Sequence, residues 1–149
     1  MRKLSAGMVA AIAAVLVAAA VAVAAETYKV SGVLKPGNET PKPVGAAGAH
    51  GTFTGTYTEN AKGAVLKWKL VFSGLTGAAT GAHIHKGKPG AAGPVVVPLC
   101  GPCHSGQSGT AKISKAVVDA IEHHDAYVNV HTAKNAGGEI RAPIKVAEG

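Results

Sequence analysis

Gly51-Thr52-Phe53-Thr54-Gly55-Thr56-Tyr57-Thr58 is followed, past Asn60-Ala61-Lys62-Gly63, by Ala64-Val65-Leu66-Lys67-Trp68-Lys69-Leu70-Val71-Phe72. In the first stretch Phe53, Gly55 and Tyr57 alternate with threonines. In the second, Leu66, Trp68, Leu70 and Phe72 alternate with Lys67 and Lys69. A period of two is the pattern of a half-buried strand, because successive side chains leave a strand on opposite faces. Two such strands joined by a short Asn/Gly turn predict an antiparallel hairpin with Trp68 in its core.

The same period recurs on both sides of the hairpin. Upstream, residues 26–34 place Tyr28, Val30 and Gly32 against Lys29 and Ser31, and residues 35–43 form a loop rich in Pro, Gly and Asn. That loop contains Asn38-Glu39-Thr40, the pattern of a glycosylation acceptor, followed by Pro41. Downstream come Ala82-His83-Ile84-His85, a Gly/Pro-rich loop over residues 86–94, a short apolar run at Val95-Val96-Val97, and Tyr127-Val128-Asn129-Val130-His131-Thr132. A turn at Asn135-Ala136-Gly137-Gly138 then leads into residues 139–146. There Ile140, Ala142, Ile144 and Val146 form one face, and Glu139, Arg141 and Lys145 the other. Only residues 114–124 carry a helical pattern, with Ser114 placed to cap and Val117 and Ile121 four apart. His123 and His124 fall in its last turn, where the helix dipole favours cations. Seven or eight short strands with one short helix predict an all-β fold, an antiparallel sandwich or barrel.

The N-terminus reads differently. Met1-Arg2-Lys3 is positive, residues 8–23 are almost wholly Ala, Val, Ile and Leu, and Ala22-Val23-Ala24 has the small-x-small form of a cleavage site. Residues 1–25 are therefore expected to be a secretory signal peptide, and residues 26–149 a single secreted or periplasmic domain. The competing reading, a transmembrane anchor, is weakened by the dominance of alanine and the cleavable end. No membrane association is expected once the signal is removed. The chain has 15 Lys+Arg and 8 Asp+Glu; without Arg2 and Lys3 the balance is 13 against 8, a net charge of +5. The lysines are scattered along the sequence without aromatic interleaving, which argues against a nucleic-acid partner. Both methionines, Met1 and Met8, lie in the signal, so the mature domain has no thioether ligand.

Parity makes the histidines informative. If Ile84 and Val130 are buried, His83, His85 and His131 must face the other way. Should the two strands be neighbours, three imidazoles converge, a donor set suited to copper or zinc with a position left open. The alternative is that each is a polar strand residue bonded to its neighbours. Cys100-Gly101-Pro102-Cys103-His104 admits three chemistries: covalent haem c with His104 as an axial ligand, a thioredoxin-type redox pair, or a disulfide. A domain of this size has little room for a porphyrin, and no helix start follows the cysteines. In an exported chain the disulfide Cys100–Cys103 is the expected outcome.

Two segments resemble the chordin-type (CHRD) domain: Gly81-Ala82-His83-Ile84-His85-Lys86-Gly87 continuing to Gly90-Ala91-Ala92-Gly93-Pro94-Val95-Val96, and residues 126–132 with Asn135-Ala136-Gly137-Gly138-Glu139-Ile140-Arg141. The resemblance implies an extracellular all-β module. A more distant similarity is to copper/zinc superoxide dismutases, in the order His83-x-His85, Cys100, His104, His131 and Arg141, and with it the expected fold is an antiparallel Greek-key β-sandwich or barrel, superoxide dismutase-like or immunoglobulin-like. The zinc-binding stretch of those enzymes has no counterpart between His104 and His131, and the second half of their disulfide has none near the C-terminus. That order implies His104 as a fourth metal contributor and Arg141 as a positive charge guiding a small anion. The sequence thus predicts an exported binding module with a histidine site for a transition metal such as copper. The alternatives are a purely structural or interaction module, with a protein or small-molecule partner, and a dismutase-like copper enzyme.

Overall fold

A computed structural model describes residues 25–147. The expected signal segment therefore lies, but for its last residue, outside the described residues. Among the described residues the strands are β1 (Thr27–Leu34), β2 (His50–Asn60), β3 (Gly63–Ser73), β4 (Ala79–Lys86), β5 (Val95–Cys100), β6 (Gln107–Ser114), β7 (Ala126–Thr132), β8 (Ile140–Pro143) and β9 (Lys145–Val146). Among the described residues one α-helix, α1 (Lys115–Glu122), joins β6 to β7, and a single 3-10 turn spans Pro36–Asn38. The strands form two antiparallel sheets, β6-β3-β2-β1-β9 and β5-β4-β7-β8. The molecule is an all-β sandwich.

The alternation that predicts the hairpin also builds the core. Phe53, Tyr57, Leu66 and Leu70 point inward from the first sheet and are buried, and Ala82, Ile84, Val128, Val130, Ile140 and Ala142 meet them from the second. Each fully buried aliphatic side chain of this kind contributes roughly 1.5–3 kcal/mol relative to exposure. Slipping β4 by one residue would exchange Ile84 for a histidine in the core, so the register is strongly held. Helix α1 buries Val117, Val118, Ala120 and Ile121 against the same cluster.

Three local readings change. Residues 107–114 form β6, a strand too polar to announce itself, since only Ala111 and Ile113 are apolar. Its inward position Gly109 pairs with Trp68, and a Cβ there would come within 2.5 Å of the indole. The tryptophan fills the space that an apolar β6 side chain would otherwise occupy. Residues 139–146 do not form one strand. β8 pairs with β7, whereas β9 pairs with β1, so the chain changes sheets at the buried Ile144. Ser114 does occupy the N-cap position, but its hydroxyl makes no capping bond. At the other end α1 stops at Glu122, so His123 and His124 lie past its last turn, and His123 Nδ1, 2.7 Å from the Asp119 carbonyl, is a second donor to a carbonyl that the His123 amide already bonds.

Candidate metal centre

β4 and β7 are direct neighbours. The register sets Gly81 opposite His131, His83 opposite Asn129 and His85 opposite Tyr127. Residues directly opposite share a face, so all three histidines stand on the outer side of the second sheet, with Ala82, Ile84, Val128 and Val130 on the inner side. Gly81 leaves the place opposite His131 open: a Cβ there would already touch the His83 ring at 3.4 Å. Candidate ligand nitrogens of His83, His85 and His131 lie within 4.8 Å of one another. With metal–nitrogen bonds of about 2.0–2.1 Å, two ligands of one ion stand at most about 4.2 Å apart. Three such ligands in a tetrahedral or trigonal arrangement stand about 3.3–3.6 Å apart, so closing the widest pair onto an ion needs side-chain adjustments of about 1 Å.

Hydrogen bonds fix which nitrogens are available. His85 Nδ1 lies 2.8 Å from the Gly93 carbonyl and His131 Nδ1 lies 2.9 Å from the Ala136 carbonyl. A carbonyl only accepts, so both imidazoles carry their proton on Nδ1 and keep the Nε2 lone pair free. His131 Nε2 in turn accepts from His83 Nδ1 at 3.0 Å. His85 Nε2 is buried and has no partner among the protein atoms, in a residue only 8 % exposed. Burial, and then the neighbouring imidazoles, hold His83 below the ordinary histidine pKa. His131 is also held below it, again by burial first, against the opposing Ala136 bond. Both effects favour the neutral rings that ligation needs.

The surroundings lock this arrangement. The His85 ring stacks on Tyr127, with centroids 4.8 Å apart and planes within 9°. The Arg141 guanidinium carbon lies 3.3 Å from the Tyr127 centroid. Two planar groups cannot share one ring face at such distances, so Tyr127 is sandwiched between them. Arg141 Nη2 donates to the carbonyls of Lys88 and Ala91, at 3.0 and 2.8 Å, and the Gly93 amide donates to the Tyr127 hydroxyl at 3.1 Å. The Gly/Pro-rich loop is thereby tied down, and it carries the carbonyl that orients His85.

The turn that orients His131 has its own anchor. Glu139, fully buried, accepts hydrogen bonds from the Thr76 amide and hydroxyl at 2.6 Å each, from the Thr132 hydroxyl at 2.5 Å and from Asn135 Nδ2 at 3.0 Å. Burial alone would raise its pKa, but these bonds outweigh that and hold it below the usual carboxylate range. Asn135 also exchanges bonds with the backbone of Val44. The pattern Asn135…Glu139 is thus structural, holding the loop whose Ala136 carbonyl faces His131.

Glu39, 1 % exposed, lies near Arg141 and Asn129 on the same side of the molecule. Burial pushes its pKa up from 4.5 to about 7, opposed by the Arg141 charge and the Asn129 amide. Between these values the folded chain keeps a proton that the unfolded chain has lost, so this group's contribution to stability falls as pH rises through that window. Glu39→Gln should therefore gain on the wild type as pH increases, by on the order of 2 kcal/mol between pH 5 and pH 8. Thermal melts of the two proteins at both pH values check this; a constant difference would contradict it.

Of the other expected site residues, Arg141 borders the histidine group through Tyr127, and the cysteine loop stands apart from it. Cys100 and Cys103 are bonded to each other, with Cα atoms 5.3 Å apart. A haem c arrangement would need both sulfurs for thioether bonds. His104 is exposed on that loop and stands outside the three-histidine group. Arg141 is 2 % exposed, so its charge is held inside the fold. Strand parity also puts Tyr127 and Asn129 on the histidine face, but the carbonyls of Gly93 and Ala136 are not legible in the sequence, because backbone acceptors leave no mark in residue type. Nor is Glu39, which reads as part of a polar loop.

The fold and site define a two-sheet β-sandwich with three imidazoles converging on one outer face. The sequence model of the CHRD domain matches residues 30–144, and the chain belongs to that family. No curated protein and no solved structure matches it. Among the described residues no helix is long and apolar enough to cross a membrane.

Proposed function

We propose that this domain is an exported binding module whose β4–β7 face holds a transition metal ion, copper before zinc, through His83 Nδ1, His85 Nε2 and His131 Nε2. The observation that carries this reading is His85 Nε2, buried without a partner in a ring whose centroid lies 5.7 Å from that of His83 and 6.0 Å from that of His131. A buried acceptor left unbonded costs about 1–3 kcal/mol. A metal ion removes that cost, and the carbonyl bonds to the remote nitrogens are the outer contacts that metal-bound histidines make. Three neutral nitrogens without a thiolate or carboxylate suit Cu²⁺ over the weaker-binding divalent ions. A purely structural role explains the His83–His131 bond, which is complete without an ion, but leaves His85 Nε2 unaccounted for. Export rests on the charged, alanine-rich N-terminus and agrees with the Cys100–Cys103 bond.

Titration of the metal-free protein with Cu²⁺ and Zn²⁺, followed by thermal unfolding, tests the proposal. Free ion at a hundred times its Kd should stabilise the fold by about 2.7 kcal/mol. The shift should fade as pH falls through the lowered pKa values of His83 and His131 and those two rings protonate. No shift with either ion would refute metal binding.

A further inference from the structure

The opposite face of the molecule carries a second feature. The lysines that are scattered in sequence are gathered by the register of the five-stranded sheet. Thr56 lies between Lys29 on β1 and Lys67 on β3, and in the next row Thr54 lies between Ser31 and Lys69. Lys145 on β9 pairs with Ser31 and extends the β1 side. With strands 4.7–4.9 Å apart, the two lysine walls stand roughly 9–10 Å from each other across a threonine floor. The four lysines are exposed. Lys29, Lys67 and Lys69 border a shallow trough of about 850 Å³ that follows β2, with Ser108 and Thr110 along its outer margin, and Lys145 stands beyond its β1 side. No acidic residue occupies either row.

We propose that this trough binds a linear polysaccharide bearing carboxylate groups. Two cationic walls attract an anion that extends along the strand direction, and unpaired acids do not oppose it. The floor of Thr54 and Thr56 offers hydroxyls that both donate and accept, the pattern needed to meet sugar hydroxyls. Lysine is a point charge suited to single carboxylates along a chain. The features that favour nucleic acid are missing from this face: it has no arginine fork, and the one large aromatic in the lining, Trp68, is 5 % exposed and offers no platform for a base. The site is on the sheet remote from the histidines, so it stands or falls independently of metal binding.

The test is affinity electrophoresis of the mature protein through gels containing polygalacturonate, at low ionic strength. Neutral dextran, a single-stranded DNA oligonucleotide and anionic phospholipid vesicles serve as comparison ligands. Polygalacturonate should retard the protein, and added NaCl should weaken the effect. Lys67→Glu with Lys69→Glu should reduce affinity at least tenfold. Lys67→Gln with Lys69→Gln should give a smaller loss, with circular dichroism confirming the fold of both. Thr54→Val with Thr56→Val, which leaves every charge in place, should reduce affinity about threefold or more. His85→Ala should bind like the wild type. No retardation by polygalacturonate, equal or tighter binding of DNA or vesicles, or indifference to the threonine pair would overturn the proposal.

Discussion

His85→Ala is expected to lower Cu²⁺ affinity by at least about 100-fold in chelator-competition titrations. Losing an outer contact at a metal site typically costs 10–100-fold, and losing a ligand should exceed that. His131→Ala should behave similarly, with an added loss of order because its Nδ1 bond to Ala136 disappears. His83→Ala should weaken binding least, since His83 is the one imidazole of the three without a bond to a backbone carbonyl. It must also move its proton from Nδ1 to Nε2 before ligating. Tyr127→Leu separates orientation from ligation. It leaves all three imidazoles but removes the stacked ring and the hydroxyl that holds Gly93, so a loss of about tenfold is expected. His104→Ala should have no effect on affinity, because that side chain stands outside the group. Equal affinity in the His85→Ala protein would remove the basis for the proposed site.

Glu139→Ala should cost at least about 3 kcal/mol of stability in denaturant unfolding, as much as truncating a buried core side chain. The substitution strips partners from the Thr76 amide, two threonine hydroxyls and the Asn135 side chain together. Bonds to an ionised acceptor are worth about 1.5–3 kcal/mol each, although losses within one network do not add. Glu139→Gln keeps the shape and some of the bonds and should cost less. The same carboxylate gives an acid limit. Its folded pKa lies below its unfolded value, so its contribution is complete above the ordinary carboxylate range and is lost as pH falls through the folded pKa. Glu139→Ala should therefore unfold with a weaker acid dependence than the wild type. A loss under about 1 kcal/mol would show that solvent replaces these bonds, contrary to the burial of the group.

Much of the histidine site is legible in the sequence, because strand parity is a strict rule. Burying Ile84 and Val130 forces His83, His85 and His131 to the other face, and this holds in the structure. Adjacency of β4 and β7 was not legible, since the order of strands in a sheet is set by long-range packing. Arg141 shows the limit of parity. It stands on the outer face as alternation requires, yet residues 86–94 cover it, and whether an outer face is wet depends on loops that carry no period. β6 escaped because its inward side is filled by Trp68 from the neighbouring strand, a compensation visible only once the two are paired. The lysine trough escaped for the same reason: Lys29, Lys67, Lys69 and Lys145 come together through register alone.

The central claim is that one metal ion joins His83, His85 and His131. The most direct measurement is an anomalous-difference map from a crystal of the protein loaded with one equivalent of Zn²⁺ or Cu²⁺. The account predicts a single peak at about 2.0–2.1 Å from His83 Nδ1, His85 Nε2 and His131 Nε2, with the Gly93 and Ala136 carbonyls still bonded to the remote nitrogens. A peak at His104 or at His123 and His124, with His85 Nε2 bonded to a protein group, would contradict it.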